Sequence, residues 1–329
     1  MKILFIGGTG TISSAISKKL IELGHELFLL NRGNKNSELQ GFTPLIADIK
    51  DEKKVAELIS DHTFDVVADF IAFKREDLER DYRLFNGKTR QFVFISSASA
   101  YQKPPQNQII TESTPLCNPF WQYSRDKIFC EEYLVQLYRN EGFPITIVRP
   151  SHTYGNGSVP VSVHGENGSW QVIKRMLDGK KVIIHGDGTS LWTLTHNSDF
   201  ARAFIGLLGN IHAIGEAIHI TSDEVLTWNQ IYQQIADTLN VKLDAVHISS
   251  ETICKNSDFG LLGNLIGDKA NCAVFDNTKI KLLVPNFAAA TRFDQGVKQT
   301  LDYILSHKEC QIADERFDRW CDEMVEKVL

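Results

Sequence analysis

The amino-terminal hydrophobic pattern predicts a strand, a tight turn and a helix in direct succession. Ile3–Ile6 is an unbroken apolar run, which is typical of a strand buried on both faces. Gly7-Gly8-Thr9-Gly10 ends this run, and apolar residues then recur at helical spacing, at Ile12, Ala15, Ile16 and Leu20. Such a turn lets the backbone approach a pyrophosphate, and the first N–H groups of the helix face the anion. A lone glycine-rich stretch is equally typical of an ordinary tight turn, but its place between strand and helix favours dinucleotide binding.

Further apolar runs alternate with helical stretches as far as residue 150. Strands are predicted at His25–Leu30, Pro44–Ala47, Asp65–Ile71 and Gln91–Ile95, and helices at Glu76–Phe85 and from Trp121 to about Asn140. Alternation at these lengths is typical of a doubly wound parallel sheet. Residues 1–150 are therefore predicted to form a Rossmann-type α/β domain, in which a ligand lies across the carboxyl ends of the strands.

The remaining residues, 151–329, predict a smaller C-terminal α/β lobe. Its predicted helices are Ser169–Leu177, Ser198–Leu208, Trp228–Leu239, Phe293–Leu305 and Asp314–Val328, and its predicted strands are Val182–Ile184, Leu191–Thr195 and Glu216–Thr221. Residues from about 191 to 208 are expected to return to the first domain. Ser257–Asn277 is rich in glycine and asparagine with little periodicity, which indicates a mobile flap.

Composition and charge narrow the classes of partner. The chain has 329 residues and a net charge of −6, which argues against nucleic acid or an anionic membrane surface as its main partner. No apolar run approaches the length of a membrane span, so a cytoplasmic protein is expected. The six cysteines include no Cys-x-x-Cys and the ten histidines no His-x-x-x-His, so neither a metal site nor a disulfide framework is expected.

The end of the second predicted strand bears on the choice of dinucleotide. An acidic residue there selects a free ribose 2′-hydroxyl, whereas arginine accommodates a 2′-phosphate. The chain has Asn31-Arg32 instead of the acid, which modestly favours NADP over NAD; Arg32 as a solvated loop cation is an equal alternative. Asp48, after the third strand, could accept a hydrogen bond from the adenine amino group, or it could belong to the cap of the helix from Asp51.

Polar residues that follow the fifth predicted strand supply candidate chemistry. Tyr123 and Lys127 are four apart and therefore share one helical face. An ammonium beside a phenol would lower the pKa of the phenol toward neutrality, which makes the tyrosine a usable acid or base. By itself such a pair is more often a solvated surface, and it gains weight from the serines that follow the strand at Ser96–Ser99.

Together these motifs resemble the extended short-chain dehydrogenase/reductase superfamily, and within it the NAD-dependent epimerase/dehydratase family. The resemblance covers essentially the whole chain. It rests on the turn and the Tyr-x-x-x-Lys pair, on Ser97 placed four residues before Tyr101, and on four segments: Phe70–Lys74, Val148–Gly155, His185–Thr189 and His196–Ala201.

The resemblance implies a role for each matching residue. Ser97, Tyr123 and Lys127 correspond to the catalytic set. Ser99, His152 and Trp192 correspond to substrate positions in and near the lobe. The implied positions around NAD or NADP are Gly7, Thr9, Gly10, Thr11, Ile12, Asn31, Arg32, Asp48, Ile49, Phe70, Ala72, Lys74, Tyr123, Lys127, Pro150 and His152.

Three departures from the family pattern bear on the substrate. Trp192 stands where sugar-nucleotide epimerases place a diphosphate-binding arginine, and an indole can stack on a sugar or base but cannot pair with phosphate. His152 replaces the usual asparagine, either as a substrate contact or as a satisfied loop histidine. The serine loop lacks the Asp-Glu pair of the 4,6-dehydratases, which argues against dehydration by their route.

The sequence therefore predicts an NAD(P)-dependent oxidoreductase or epimerase that acts on a hydroxyl or carbonyl of a sugar or sugar-nucleotide-like substrate, with Tyr123 as the acid or base. An NADPH-dependent ketoreductase of a small non-nucleotide substrate is one alternative. It would be favoured if Trp121, Trp170 and Trp192 lined one pocket. A non-catalytic dinucleotide sensor or scaffold is the other. The resemblance also allows a homodimer.

Overall fold

The computed structural model describes residues 1–34 and 39–328. Within these ranges the strands are β1 Lys2–Ile6, β2 Glu26–Asn31, β3 Thr43–Ile46, β4 Val66–Asp69, β5 Phe92–Ile95, β6 Ile109–Ile110, β7 Ile145–Pro150, β8 His152–Tyr154, β9 Val182–His185, β10 Leu191–His196, β11 Ala217–Ile220, β12 Val225–Thr227, β13 Ala245–Ile248 and β14 Val274–Phe275. The helices are α1 Thr11–Glu22, α2 Glu52–Leu58, α3 Arg75–Phe85, α4 Gln122–Glu141, α5 Trp170–Leu177, α6 Asn197–Leu207, α7 Trp228–Thr238, α8 Ser250–Lys255, α9 Leu261–Asn264, α10 Thr278–Leu283, α11 Phe293–Ser306 and α12 Glu315–Val328.

Seven parallel strands form the central sheet, in the order β11-β7-β5-β4-β1-β2-β3. The strand order reverses between β1 and β4, which is the switch point of a doubly wound sheet. Each strand that lies inside the sheet is apolar on both faces because helices cover both. In β1, Leu4 and Ile6 pack toward α2, α3 and α4, while Ile3 and Phe5 pack toward α1 and α6. The predicted Rossmann-type fold is confirmed.

The lobe after residue 150 has its own core. Strands β12, β10 and β8 form a small mixed sheet, and β13 pairs with β9. Helices α5, α7, α11 and α12 contribute apolar side chains to this core. Two later segments lie with the first domain: α6 packs against α1, and β11 joins the edge of the central sheet beside β7. Of the predicted return at 191–208, α6 lies with the first domain whereas β10 belongs to the lobe sheet, and β11, after residue 208, adds a strand to the first domain.

The composition of Ser257–Asn277 indicated a mobile flap, but this segment has regular secondary structure. It contains α9, a five-residue π-helical turn at Leu265–Lys269 and β14, and its residues Leu261 and Leu265 are buried. Gly263 lets the backbone of this segment lie close to the Trp121 side chain, because a Cβ on Gly263 would lie 2.1 Å from Trp121 Cδ1. Two short helical turns of different pitch produce no sustained period, so the pattern of the sequence concealed them.

None of the helices within the described residues has the length and apolarity needed to cross a membrane.

Candidate active site

The glycine-rich turn adopts backbone angles that only glycine tolerates well. Gly7 and Gly8 have φ values of +101° and +91°, and a Cβ on Gly8 would lie 2.6 Å from Leu29 Cδ2. The Gly7 N–H donates to the Leu30 carbonyl at 3.0 Å, so the turn stays close to the end of β2. Helix α1 starts at Thr11, and its amino terminus therefore lies at the carboxyl edge of the sheet.

A groove of about 560 Å³ extends from this turn across the ends of β2, β3 and β4. Its volume and its position at the switch point fit the adenosine and pyrophosphate portion of a dinucleotide. Half of the predicted cofactor positions line it: Gly7, Thr9, Gly10, Asn31, Arg32, Asp48, Ile49 and Phe70. Asp77 and Arg80 of α3 also line the groove and were not identified from the sequence, because no motif marks them.

The polar residues at the groove have distinct local roles. Asn31 Oδ1 accepts the N–H of Gly33 at 2.7 Å, which shapes the loop after β2. Asp51, not Asp48, caps α2 by accepting the Lys54 N–H at 3.2 Å. The capping alternative for Asp48 is therefore wrong, and its exposed carboxylate lines the groove. Arg32 is exposed beside it, and the attraction of a 2′-phosphate by Arg32 remains a prediction.

Besides Lys127, which is described below, four of the predicted cofactor positions lie neither on this groove nor on the substrate cavity described next. Thr11 lines a separate depression beside His196, and Ile12 packs against the core under α1. Ala72 is buried. Lys74 precedes α3 and lines a separate depression together with residues of α4. Contacts of these four side chains with a dinucleotide remain predictions.

A second cavity, of about 230 Å³, lies between the sheet edge and the lobe; we call it the substrate cavity. Ten of the residues that line it fall into two groups. Six were predicted as site residues: Ser97, Ser99, Tyr123, Pro150, His152 and Trp192. Four were not singled out as site residues: Lys103, Trp121, Asp268 and Phe275. The structure thus brings together residues from the serine loop, from the start of α4 and from the lobe.

Lys127 lies behind Tyr123 and does not lower its pKa in the way that the helical spacing suggested. The Lys127 ammonium donates to the carbonyls of Ala72 and Ile95, each at 2.7 Å. Burial lowers the pKa of Lys127 to about 8. Burial also raises the pKa of Tyr123, with Asp268 adding to the rise and the Ser97 hydroxyl opposing it. The spacing places both side chains on one face but does not fix where the ammonium points.

Three serine hydroxyls form a chain at the floor of the substrate cavity. Ser124 Oγ donates to Ser99 Oγ at 2.8 Å, and Ser99 Oγ lies 2.9 Å from Ser97 Oγ. The 3₁₀ turn Ala98–Ala100 after β5 holds Ser97 and Ser99 on one side. Ser99 is buried, so it orients the Ser97 hydroxyl as well as lining the cavity.

His152 and Trp192 form a pair in the cavity wall. Trp192 is only 2% exposed, and its ring lies 5.4 Å from that of Trp228 at an angle of 34°. Little of the indole is therefore open to the cavity that it lines, and its contact with a substrate remains a prediction. Its Nε1–H donates to His152 Nδ1 at 3.2 Å, which leaves the proton of the neutral imidazole on Nε2. Burial, with Lys269 and His164 nearby, lowers the pKa of His152 to about 3, so the ring is neutral at physiological pH.

We expect Trp192→Phe to fold with a free energy of unfolding lower by about 1–3 kcal/mol, because His152 Nδ1 loses its buried donor while the ring still fills the core. Trp192→Arg should lose considerably more stability, because the cation would be buried without a partner. Urea unfolding of both variants measures these losses. If the Trp192→Arg protein were as stable as wild type and also gained binding of UDP, the side chain at position 192 would face the substrate.

Two arginines that could in principle hold a diphosphate, Arg149 and Arg292, do not line the substrate cavity. Arg149 is buried in an ion pair with Glu131, and Arg292 pairs with Asp294 at the surface. Trp170 packs against the lobe core, so Trp121 and Trp192 line the substrate cavity without it. Among the described residues that line this cavity, Lys103 is the only lysine or arginine.

Comparison with known proteins decides the family. The model of the NAD dependent epimerase/dehydratase family matches residues 3–221, more than half of the chain. The chain belongs to this family. It is accordingly an enzyme that uses a nicotinamide dinucleotide, and NAD is the cofactor by which the family is described.

Individual relatives of this family member share about a quarter of its residues. A UDP-N-acetyl-alpha-D-glucosaminuronate decarboxylase of Bacillus cytotoxicus is 25% identical over 91% of this chain and 96% of its own. A 2'-dehydrokanamycin reductase of Streptomyces kanamyceticus is 24% identical over 76% of this chain and 70% of its own. A UDP-glucose 4-epimerase structure from Thermotoga maritima shares the fold, with a TM-score of 0.74, 22% identity and coverage of 93% and 99%.

Proposed function

We propose that this enzyme exchanges hydride between NAD and a hydroxyl-bearing carbon of a sugar nucleotide, with epimerisation as the net reaction. The observation that carries the proposal is the joint placement of Ser97 and Tyr123 in the substrate cavity, with Lys127 directly behind them at the carboxyl edge of the sheet. The relatives that act on UDP-sugars support the substrate class.

In this proposal each residue has a separate task. Tyr123 exchanges a proton with the substrate oxygen: its phenolate would take the hydroxyl proton as hydride leaves the carbon, and the resulting phenol would give the proton back when hydride returns. Burial raises the pKa of Tyr123 and favours the phenol, whereas the positive charge of a bound oxidised nicotinamide would favour the phenolate that the first step needs. The Ser97 hydroxyl, oriented by Ser99, holds the same oxygen. Lys127 fixes the turn under the cofactor groove by its bond to the Ala72 carbonyl. NAD, when bound, accepts the hydride and returns it.

A second candidate is a net reductase of a carbonyl on a sugar-like substrate that lacks a diphosphate. Two observations favour it: no arginine lines the substrate cavity among the described residues, and one relative is a 2'-dehydrokanamycin reductase. The same Ser97 and Tyr123 would serve, with the proton moving from the phenol to the substrate oxygen. The two candidates differ in whether reduced dinucleotide is consumed.

The test is the identity of the dinucleotide that the purified protein retains, followed by turnover. We expect mass spectrometry and absorbance to show bound NAD in the oxidised form. We also expect incubation with UDP-glucose or UDP-N-acetylglucosamine to give the epimer in NMR spectra, without accumulation of NADH. A protein that instead takes up NADPH and oxidises it in the presence of a keto sugar supports the reductase. Absence of both reactions contradicts the proposal.

We also propose a cytoplasmic location and a homodimer. The acidic net charge of −6 supports the first. Exposed aromatic side chains along α4, Phe129 and Tyr138, support the second, since such side chains are enriched in interfaces between subunits.

A further inference from the structure

A buried ion pair lies at one end of the substrate cavity. Lys103 Nζ lies 3.4 Å from Asp268 Oδ1, and their side chains are 1% and 18% exposed. Lys103 belongs to the loop between β5 and β6, whereas Asp268 belongs to the π-helical turn of the lobe. The pair therefore joins the two halves of the molecule across the place where the substrate is proposed to bind.

The pair has unused hydrogen-bonding capacity. An ammonium has three donors and a carboxylate about four acceptor positions, yet within the described chain the Lys103 ammonium and the Asp268 carboxylate have only each other as side-chain partners. A buried ion pair is costly unless further hydrogen bonds satisfy both groups. Both residues line the cavity, so a ligand there is the group that can complete them.

The surroundings of the pair favour a ligand without charge. His152 is neutral, and the nearby Lys269 ammonium donates to the carbonyls of Val161 and Ser162 instead of facing the cavity. A carboxylate on the ligand could reach Lys103 only beside the Asp268 carboxylate, whose like charge opposes it. An ammonium would likewise lie beside the Lys103 ammonium. A hydroxyl both donates and accepts, so it can satisfy the pair without separating it.

The remaining wall is suited to a sugar ring. The centroids of the Trp121 and Tyr123 rings are 5.0 Å apart, and the indole lies against Gly263 of the segment Ser257–Asn277. At about 230 Å³ the cavity is smaller than the roughly 300–1,000 Å³ of drug-sized sites, so it can hold one ring rather than a whole sugar nucleotide.

We propose that Lys103 and Asp268 recognise neighbouring hydroxyls of an uncharged sugar ring and disfavour sugars that carry a carboxylate or an ammonium. This inference rests on the proposed function and narrows its substrate class. It assigns specificity to two residues far apart in the chain, neither of which belongs to a motif. Lys103 supplies the donors and Asp268 the acceptors, and a charged ligand is opposed by the member of the pair that has the same charge.

Calorimetry can test this with UDP-glucose and UDP-glucuronic acid, which differ by the carboxylate. Titrations should use NAD-loaded protein in the Tyr123→Phe background, so that binding is measured without turnover. We expect UDP-glucose to bind at least roughly tenfold more tightly. Asp268→Asn should reduce this preference to about threefold or less, because the carboxylate no longer opposes the uronate. Lys103→Met should weaken UDP-glucose by about tenfold without improving the uronate.

Asp258→Asn is the matched control. Asp258 lies in the same segment, Ser257–Asn277, as Asp268, but it is exposed and pairs with Arg316. The affinities for UDP-glucose and UDP-glucuronic acid should therefore both stay unchanged. Retention of NAD by each variant reports folding, and if Asp268→Asn does not fold, Lys103→Met decides. Equal binding of the two ligands, or a preference that Asp268→Asn leaves unchanged, overturns this inference alone. Failure of both ligands to bind NAD-loaded protein overturns the proposed function together with it.

Discussion

Replacing Tyr123 by phenylalanine should reduce kcat by at least ~10²–10⁴-fold while the protein still folds and binds NAD. The phenol oxygen reaches into the substrate cavity, where Ser97 and Asp268 both affect its pKa. The ring packs against Trp121 and Phe73, and phenylalanine keeps those contacts. The loss should therefore appear in the rate and not in the melting temperature or the affinity for NAD.

Tyr138→Phe is the appropriate comparison for this measurement. Tyr138 lies on the same helix, α4, but it is exposed and far along the helix from the cavity. Its loss of a hydroxyl should leave kcat within about twofold of wild type, since it contacts neither substrate nor cofactor site. If Tyr123→Phe retained wild-type turnover, the assignment of the acid and base would be wrong, and His152 would be the next side chain to examine.

The strands of the first domain could be predicted because burial on both faces leaves a plain signal. A short apolar run such as Ile3–Ile6 indicates a buried strand when a glycine-rich turn and a helical pattern follow at once. The strand β7 is also mostly apolar, at Ile145, Ile147 and Val148, but no such turn follows it, and the sequence indicates only that the chain leaves the domain there. Its place between β5 and β11 depends on pairings with distant strands, which no local pattern contains.

The site was predictable only where a motif combined several residues. Tyr123 and Lys127 share a helical face as their spacing requires, yet the Lys127 ammonium turns to two backbone carbonyls. Spacing determines the face of a helix, whereas the direction of a long side chain depends on the acceptors that the fold places around it.

Trp192 shows the same limit for an aromatic residue. Its place in the family pattern suggested a stacking surface, but the Trp228 ring of α7 lies 5.4 Å from the indole, and the indole N–H donates to His152 Nδ1. Lys103 and Asp268 were missed altogether. They meet only because the π-helical turn of the lobe folds over the loop after β5, and single charged residues in such stretches are usually solvated.

We expect Arg149→Met to lower the free energy of unfolding by about 3–5 kcal/mol. Arg149 and Glu131 are 6% and 3% exposed, with two hydrogen bonds from Arg149 Nε to the carboxylate at 3.0 and 3.2 Å. Removing the guanidinium leaves a buried carboxylate with Ser96 as its remaining side-chain donor and takes a donor from Tyr101. Urea unfolding followed by circular dichroism measures the loss.

Two comparisons separate the cost of an unpaired charge from the loss of the arginine itself. Glu131→Gln combined with Arg149→Met leaves no buried charge, so it should recover part of the stability that the single substitution loses. Arg75→Met removes an ion pair of the same type at the surface, with Glu79 at 2.9 Å, and should cost at most about 1 kcal/mol. If Arg149→Met were as mild as Arg75→Met, the arginine would not be needed to neutralise Glu131. A ligand-binding role for Arg149, such as holding a diphosphate, would then have to be considered again.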